Sequence, residues 1–274
     1  MDKESFFISL FPDSHIGDDG AVIANMVYTK DLFCEDVHFR RSWMSPHQIA
    51  YKAMLVNISD AIVMNARPRY ALIGIEIPAS FTLKEMEALA GGFNAAAKEY
   101  KFHIIGGDTI SGEKLNISIT LISETKHPLT RKGILLGDLI AHTGELGSVK
   151  RDLEALMRQE PIPEDSKFIT PQLRSDFFYE AAPYLHAAMD ISDGLSKDLS
   201  RLSTRNNIGF LFDKPYPKEM LCSGEEYEIL CAFAPEQREK LEEIARKHKI
   251  PFHIFATAVK GSYQSECPEN HFTT

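Results

Sequence analysis

Aspartates set among glycine, serine and asparagine are the residues of this chain whose types and spacing suit chemistry. Five stretches carry them: Gly17-Asp18-Asp19-Gly20, Thr29-Lys30-Asp31, Asn57-Ile58-Ser59-Asp60, Gly106-Gly107-Asp108-Thr109 and Asp190-Ile191-Ser192-Asp193-Gly194. Small neighbours let backbone approach a ligand closely. Carboxylates placed this way are hard oxygen donors, suited to magnesium that also binds water and substrate phosphates. Taken singly, most have a structural explanation too. Asp193 or Ser192 fits as a helix cap, Asp108 as a turn residue that ends a strand, and Asp18-Asp19-Gly20 as a hairpin turn. Asp60 differs, because on a helix it falls with Ile49, Ala53, Val56 and Val63 in an apolar stripe. A carboxylate there must be paired, protonated or bound to a cation.

Other phosphate and acyl chemistries are excluded by missing motifs. The chain has no Gly-x-x-x-x-Gly-Lys-Ser/Thr loop, no His-Arg-Asp with Asp-Phe-Gly, no Gly-x-Gly-x-x-Gly after a strand and no Gly-x-Ser-x-Gly elbow. A net charge of -9 argues against a nucleic-acid surface. It leaves phosphate ligands open, since metal ions can carry the positive charge. Cys34, Cys222, Cys231 and Cys267 form no C-x-x-C pair, so the expectation is reduced thiols in a cytoplasmic protein without zinc. No apolar run is long enough to span a membrane, and the first residues do not read as a signal peptide.

These side chains need elements to hold them. The 274 residues suffice for one large domain or two modest ones. One or two strands are expected over 20–34, and a helix from Pro46 to about Met64, with Ser45 as cap. A buried strand is expected over 69–77. A second helix should open at the capping box Thr82 to Glu85 and run toward Tyr100. Strands are expected over 102–106 and 115–122. The polar stretch 124–133 marks a boundary, dividing the chain into residues 1–128 and 129–274. The second half reads as a strand near 139–143, helices near 146–158, 171–182, 195–205 and 235–248, and strands near 208–212, 227–233 and 252–258. The mixture predicts an α/β (α+β) protein of two tandem α/β sandwich domains.

Eight motifs in order resemble the thiamine-monophosphate kinase family, within the superfamily of aminoimidazole ribonucleotide synthetase and selenophosphate synthetase. They are Gly17-Asp18-Asp19, Val37-His38-Phe39, Lys52-Ala53 with Val56 to Asp60, Gly106 to Thr109, Arg131-Lys132-Gly133 with Gly137-Asp138, Thr143 to Gly147, Asp190 to Leu195, and Gly224 to Glu228. The resemblance implies that Asp18, Thr29, Asp31, Asp60, Asp108, Asp190 and Asp193 contact several magnesium (Mg2+) ions. It implies that Gly107, Asp108, Arg131 and Ser192 meet ATP, and that His38 and Glu225 face thiamine phosphate. Asp31, Asp60, Asp108 and Arg131 would carry catalysis, an in-line transfer of the γ-phosphoryl group that yields thiamine diphosphate. An N-terminal domain that binds ATP and metal and pairs with its twin in a homodimer is also implied, as is a cytoplasmic location.

The chain departs from the family pattern in places. Lys30 stands where the family has a neutral residue, either solvated or able to replace a cation or reach a phosphate. Ser223-Gly224-Glu225-Glu226-Tyr227 replaces Gly-Gly-Glu-Asp-Tyr, and Glu269 replaces a frequent aromatic residue ahead of His271-Phe272. Alternative readings are another ATP-dependent enzyme of the superfamily, or a non-catalytic nucleotide-binding homologue.

Overall fold

A helix at Pro46–Val63 is the axis of the structure, a computed structural model that describes residues 3–268. It is α2, after α1 (Lys3–Ser9). The Ser45 side chain accepts from the Gln48 N–H while Gln48 reaches back to the Ser45 N–H, and Pro46 occupies the first helical position. Buried residues lie on nearly every side of α2, among them Ile49, Met54, Leu55, Ile58 and Ile62. A helix apolar all round must be covered all round. The cover is a sheet, a second helix, and the second half of the chain.

That sheet contains β1 (Ala21–Ile23), β2 (Met26–Cys34), β3 (Arg67–Pro78), β4 (His103–Gly112) and β5 (Asn116–Glu124) in the order β1-β2-β5-β3-β4. Only β3 and β4 run parallel, and α3 (Leu83–Glu99) connects them. Helix α3 crosses α2 closely at Gly92, where a Cβ would lie 2.2 Å from the His47 carbonyl oxygen. In β5 the alternation is strict: Ile117, Ile119, Leu121 and Ser123 are buried against the helices.

Sheet parity decides which acidic residues can meet. Asp31 pairs with Ile119, and Ile119 with Ile73, so its row belongs to the inner face. The next row is Leu32, Ser118, Gly74 and Asp108, and it belongs to the outer face. Leu32, Asp108 and Ser118 line one shallow hollow there with Ile110 and Glu76. The strand does not end in a turn at Gly106-Gly107, as expected. It continues to Gly112. Glycine is required at 107 by the sheet itself: φ is +150°, and a Cβ would sit 1.8 Å from the Ile73 carbonyl oxygen.

The second sheet contains β6 (Leu139–Thr143), β7 (Ala187–Asp190), β8 (Gly209–Phe212), β9 (Ile229–Phe233) and β10 (Phe252–Val259), all antiparallel, in the order β7-β9-β6-β10-β8. With it go α4 (Ser148–Met157), α5 (Ser175–Ala181), α6 (Leu195–Asn206), α7 (Lys218–Leu221) and α8 (Arg238–His248). Two α/β units in tandem are what the periodicities predicted. The short elements α1, β7 and α7 were not anticipated. A continuous core joins the halves, with Ile49 and Ile58 of α2 in the same cluster as Phe168, Phe177 and Ile229.

Reduced cysteines were expected, but Cys222 and Cys267 form a disulfide across 45 residues, while Cys34 and Cys231 are free. No spacing rule links two cysteines that far apart in sequence. The expectation for Glu269 and the His271-Phe272 that follows it falls outside the described residues.

Candidate metal and phosphate site

Four carboxylates from four elements converge where the halves meet. Asp19 comes from the loop before β1, Asp31 from the inner face of β2, Asp60 from the last turn of α2, and Asp190 from the end of β7. Oxygens of Asp19, Asp60 and Asp190 all lie within 4.8 Å of one another. The Asp60 carboxyl is in hydrogen-bonding contact with that of Asp31, so that pair needs a shared proton or a cation. Ser59 Oγ donates to Asp190 Oδ2 at 2.6 Å. Asp31 Oδ2 and Asp190 Oδ1 are buried with no hydrogen-bond partner. Such orphaned acceptors are costly unless something positive meets them.

The electrostatics agree with the geometry. Burial, with the Asp19 charge adding to it, pushes the Asp31 pKa up to about 6, against a hydrogen bond from Asp60 and the charge of Lys30. Burial and the neighbouring Asp31, Asp190 and Asp19 hold Asp60 well above the carboxylate range. Burial and Asp19 do the same to Asp190. A divalent cation fits this donor set: hard oxygens, excess negative charge and unsatisfied lone pairs.

Arginines border the cluster. Arg131, in the linker between the sheets, grips Asp19 with Nη2 to Oδ1 at 2.6 Å and Nε to Oδ2 at 3.2 Å. Asp18 turns away from the cluster: its Oδ1 accepts from the Arg131 backbone N–H at 2.7 Å and its Oδ2 from Arg205 at 3.4 Å. Asp193 pairs with Arg201 at 2.5 Å, and Arg201 also holds the buried Asp198 at 2.8 Å. Burial raises the Asp198 pKa to about 7 in spite of that arginine.

Other expected residues separate into two groups. Thr29 is buried, with Oγ1 donating to the Asn57 carbonyl at 3.3 Å. Ser192, beyond Asp190, accepts the Glu225 N–H at 2.7 Å. His38 Nδ1 accepts from the Cys34 N–H at 3.0 Å, so a neutral ring carries its proton on Nε2. That ring stacks on Phe33 at 5.4 Å. Glu225 pairs with Lys52 at 2.8 Å. Gly107 and Asp108 stand apart on β4. Asp108 is exposed on the outer face, with Oδ1 accepting its neighbour Thr109 N–H at 2.9 Å. Within one chain, the sheet lies between Asp108 and Asp31. Lys30 also points outward, its Nζ donating to Ser118 Oγ at 2.5 Å.

Sequence reasoning missed Asp19, Arg201, Arg205 and Asp198. The doubled carboxylate in Gly17-Asp18-Asp19-Gly20 signalled Asp19, but parity in a loop is not readable. Lys52 and Asp198 sit in helical stripes among apolar residues, the same signal that marked Asp60, whereas Arg201 lies on the polar side of its helix with Lys197, Thr204 and Arg205.

Both halves match family models, AIR synthase related protein, N-terminal domain, over residues 17–124, and AIR synthase related protein, C-terminal domain, over 135–266. Among curated relatives, thiamine-monophosphate kinase of Bacillus subtilis is 30% identical over 271 residues, covering 87% of this chain and 83% of that protein. Thiamine-monophosphate kinase of Aquifex aeolicus is 33% identical over 203 residues, covering 70% of this chain and 66% of that protein. A solved structure described as AaThiL complexed with AMPPCP and TMP superposes with a TM-score of 0.84 at 26% identity, covering 95% of this chain and 91% of that one. The chain therefore belongs to the thiamine-monophosphate kinases of the AIR synthase related family. Among the described residues, no helix is long and apolar enough to cross a membrane.

Proposed function

We propose that this chain is an ATP- and magnesium-dependent kinase that transfers the γ-phosphoryl group of ATP to thiamine phosphate, giving thiamine diphosphate and ADP. The observation that carries it is the convergence of Asp19, Asp31, Asp60 and Asp190, with two buried oxygens lacking partners, at the junction of the two sheets. The relatives' names supply the acceptor, and the AMPPCP and TMP of the solved AaThiL complex, an ATP analogue and thiamine phosphate, support both substrates.

The acceptor phosphate is already an anion at neutral pH, so it needs no general base. The barrier is repulsion between two polyanions. Asp19, Asp31, Asp60 and Asp190 would hold magnesium, which would neutralise charge on the phosphates. Arg131 brings a guanidinium fork to the same place and stabilises the transferred group. Asp18 orients Arg131 by accepting its backbone N–H. Ser192 lies toward ATP, and His38 and Glu225 receive thiamine phosphate. Lys30 is bonded to Ser118 on the outer face, and its charge favours the ionised form of Asp31.

Residues 1–128 form the N-terminal half, which brings Asp19, Asp31 and Asp60 to the ATP and metal site, and 129–274 the C-terminal half, which brings Arg131, Asp190 and Ser192. The outer face of the first sheet supports pairing with a second copy. Leu32, Tyr70, Leu72 and Ile110 are exposed there, apolar side chains that a second copy would cover. Gly107 and Asp108 lie on β4 beside it, so in a homodimer their approach to nucleotide would involve that interface. A cytoplasmic location suits a kinase that draws on ATP, and Cys222–Cys267 is then a bond subject to reduction.

A superfamily enzyme acting through a reactive cysteine is disfavoured, because burial and then Glu76 raise the Cys34 thiol pKa. Coupled ADP release with thiamine phosphate, other phosphate monoesters and amides as acceptors tests the proposal. A signal confined to thiamine phosphate and dependent on magnesium is expected. ADP release with another acceptor instead, or magnesium-dependent ATP binding without turnover, refutes it.

A further inference from the structure

Lys52 is the largest charged side chain with no solvent exposure in the structure's core. It lies in α2 with its ammonium 4.2 Å from the centre of the Phe168 ring and 5.6 Å from that of Phe33. A methionine would fill that apolar slot without the cost of burying a charge. What the lysine adds is an ion pair: Nζ donates to Glu225 Oε2 at 2.8 Å. Glu225 is otherwise held by its main chain, with φ at +55° and its N–H on the Ser192 carbonyl at 2.7 Å. A glutamate in the left-handed region is uncommon and marks a loop fixed by its surroundings.

The ion pair has a counterpart farther along the helix. Ser59, seven residues from Lys52 and so on the same line of α2, donates to Asp190 at 2.6 Å. One helix face therefore ties to the second half twice, about 10 Å apart along its axis. One tie is at the acid cluster and the other at the loop of Glu225. That spacing is on the scale of an acceptor with a phosphate at one end and aromatic rings at the other. Phe33, one of the two rings beside the ammonium, is also the ring on which His38 stacks. Both residues read as facing the acceptor thus converge on Lys52.

We propose that Lys52 is a positioning residue for the acceptor: it fixes the Glu225 carboxylate, and through Phe33 the His38 ring, in the arrangement that receives thiamine phosphate. The ion pair engages Oε2 and leaves Oε1 for the ligand. This rests on the kinase reading above. Lys52 is fully buried, with its ammonium against Phe168, Phe33 and Glu225 and away from the acid cluster, so its loss weakens acceptor binding selectively. The change that isolates it is Lys52→Met, compared with Lys52→Arg, Glu225→Gln and the double variant Lys52→Met/Glu225→Gln.

Three quantities are read on each full-length variant: KM for thiamine phosphate, KM for ATP, and the Kd for thiamine phosphate by calorimetry without ATP. Lys52→Met raises KM and Kd for thiamine phosphate about tenfold or more, the usual worth of a hydrogen bond to a charged group. KM for ATP stays within about twofold, Lys52→Arg recovers part of the loss, and the double variant binds thiamine phosphate no worse than Glu225→Gln alone. Equal rises in both KM values, no change in either, or losses that multiply in the double variant overturn the proposal. Should Lys52→Met fail to fold, the double variant, which leaves no unpaired buried charge, decides by the same comparison. Wild-type protein that neither binds nor phosphorylates thiamine phosphate defeats the kinase reading instead, a result distinct from any of these.

Discussion

Asp60 and Asp19 are the residues on which the account of the site most depends. Each brings a carboxyl into a space that already holds Asp190, and nothing but a cation or a proton makes that arrangement tolerable. Asp60→Asn is expected to lower kcat roughly 100-fold or more, with circular dichroism unchanged. Asp19→Asn should do the same and free Arg131, whereas a purely structural Asp19–Arg131 pair would show as lost stability with kcat intact. The raised pKa values predict a pH effect as well. In the folded protein Asp31 and Asp198 keep their protons up to about 6 and about 7, while in the unfolded chain both are ionised above the ordinary value of 3.8. The folded state binds more protons across that window, so these groups make metal-free protein less stable as pH rises from 5 to 7.5. His142, with its pKa lowered by burial to about 4, acts in the opposite sense below pH 6.5, but equally with and without metal. The expected result is therefore a magnesium-induced rise in Tm that grows from pH 5 to 7.5. A rise independent of pH would contradict the metal assignment. Asp60 was legible in the sequence because a carboxylate in an apolar stripe is anomalous wherever the helix packs. Asp19 was not, since choosing between Asp18 and Asp19 requires the loop's geometry.

At the scale of elements, α2 does most of the positioning. Its start is written in Ser45-Pro46 with Gln48, and its burial in the apolar residues around its whole circumference. Its approach to α3 depends on Gly92. Gly92→Ala places a Cβ against the His47 carbonyl and should cost about 1–3 kcal/mol in urea melts. It should also weaken thiamine phosphate binding if the helix shifts. No loss of stability would mean that the two helices move apart freely. The long strands were readable from apolar alternation, but their extent was not. Gly106-Gly107-Asp108 looks like a turn because glycines usually break strands. Here β4 continues through them beside the Ile73 main chain. That single difference moves Asp108 from the end of a strand to the outer face, away from Asp31. Strand β7 was hidden for another reason: it has four residues, too few to establish a period, and Asp190 at its end reads equally as a helix start.

For the whole molecule, two tandem α/β units were legible from the order of strands and helices and from the polar stretch near Lys126-His127-Pro128. The closure between them was not, because it depends on contacts far apart in sequence: Ser59 with Asp190 and Lys52 with Glu225. Assembly belongs to this scale too. Replacing Leu32 and Ile110 by glutamate on the outer sheet face should convert a dimer to a monomer in light scattering, and a mass unchanged by the pair of substitutions would exclude that face as the interface. The most direct test of the central claim is the product itself. Purified protein is incubated with ATP and thiamine phosphate, with magnesium or with a chelator, and thiamine diphosphate and ADP are quantified by chromatography. The account predicts the two products in equal amounts with magnesium, and neither with the chelator or in Asp60→Asn. ADP without thiamine diphosphate, or thiamine diphosphate formed equally well by Asp60→Asn, would contradict it.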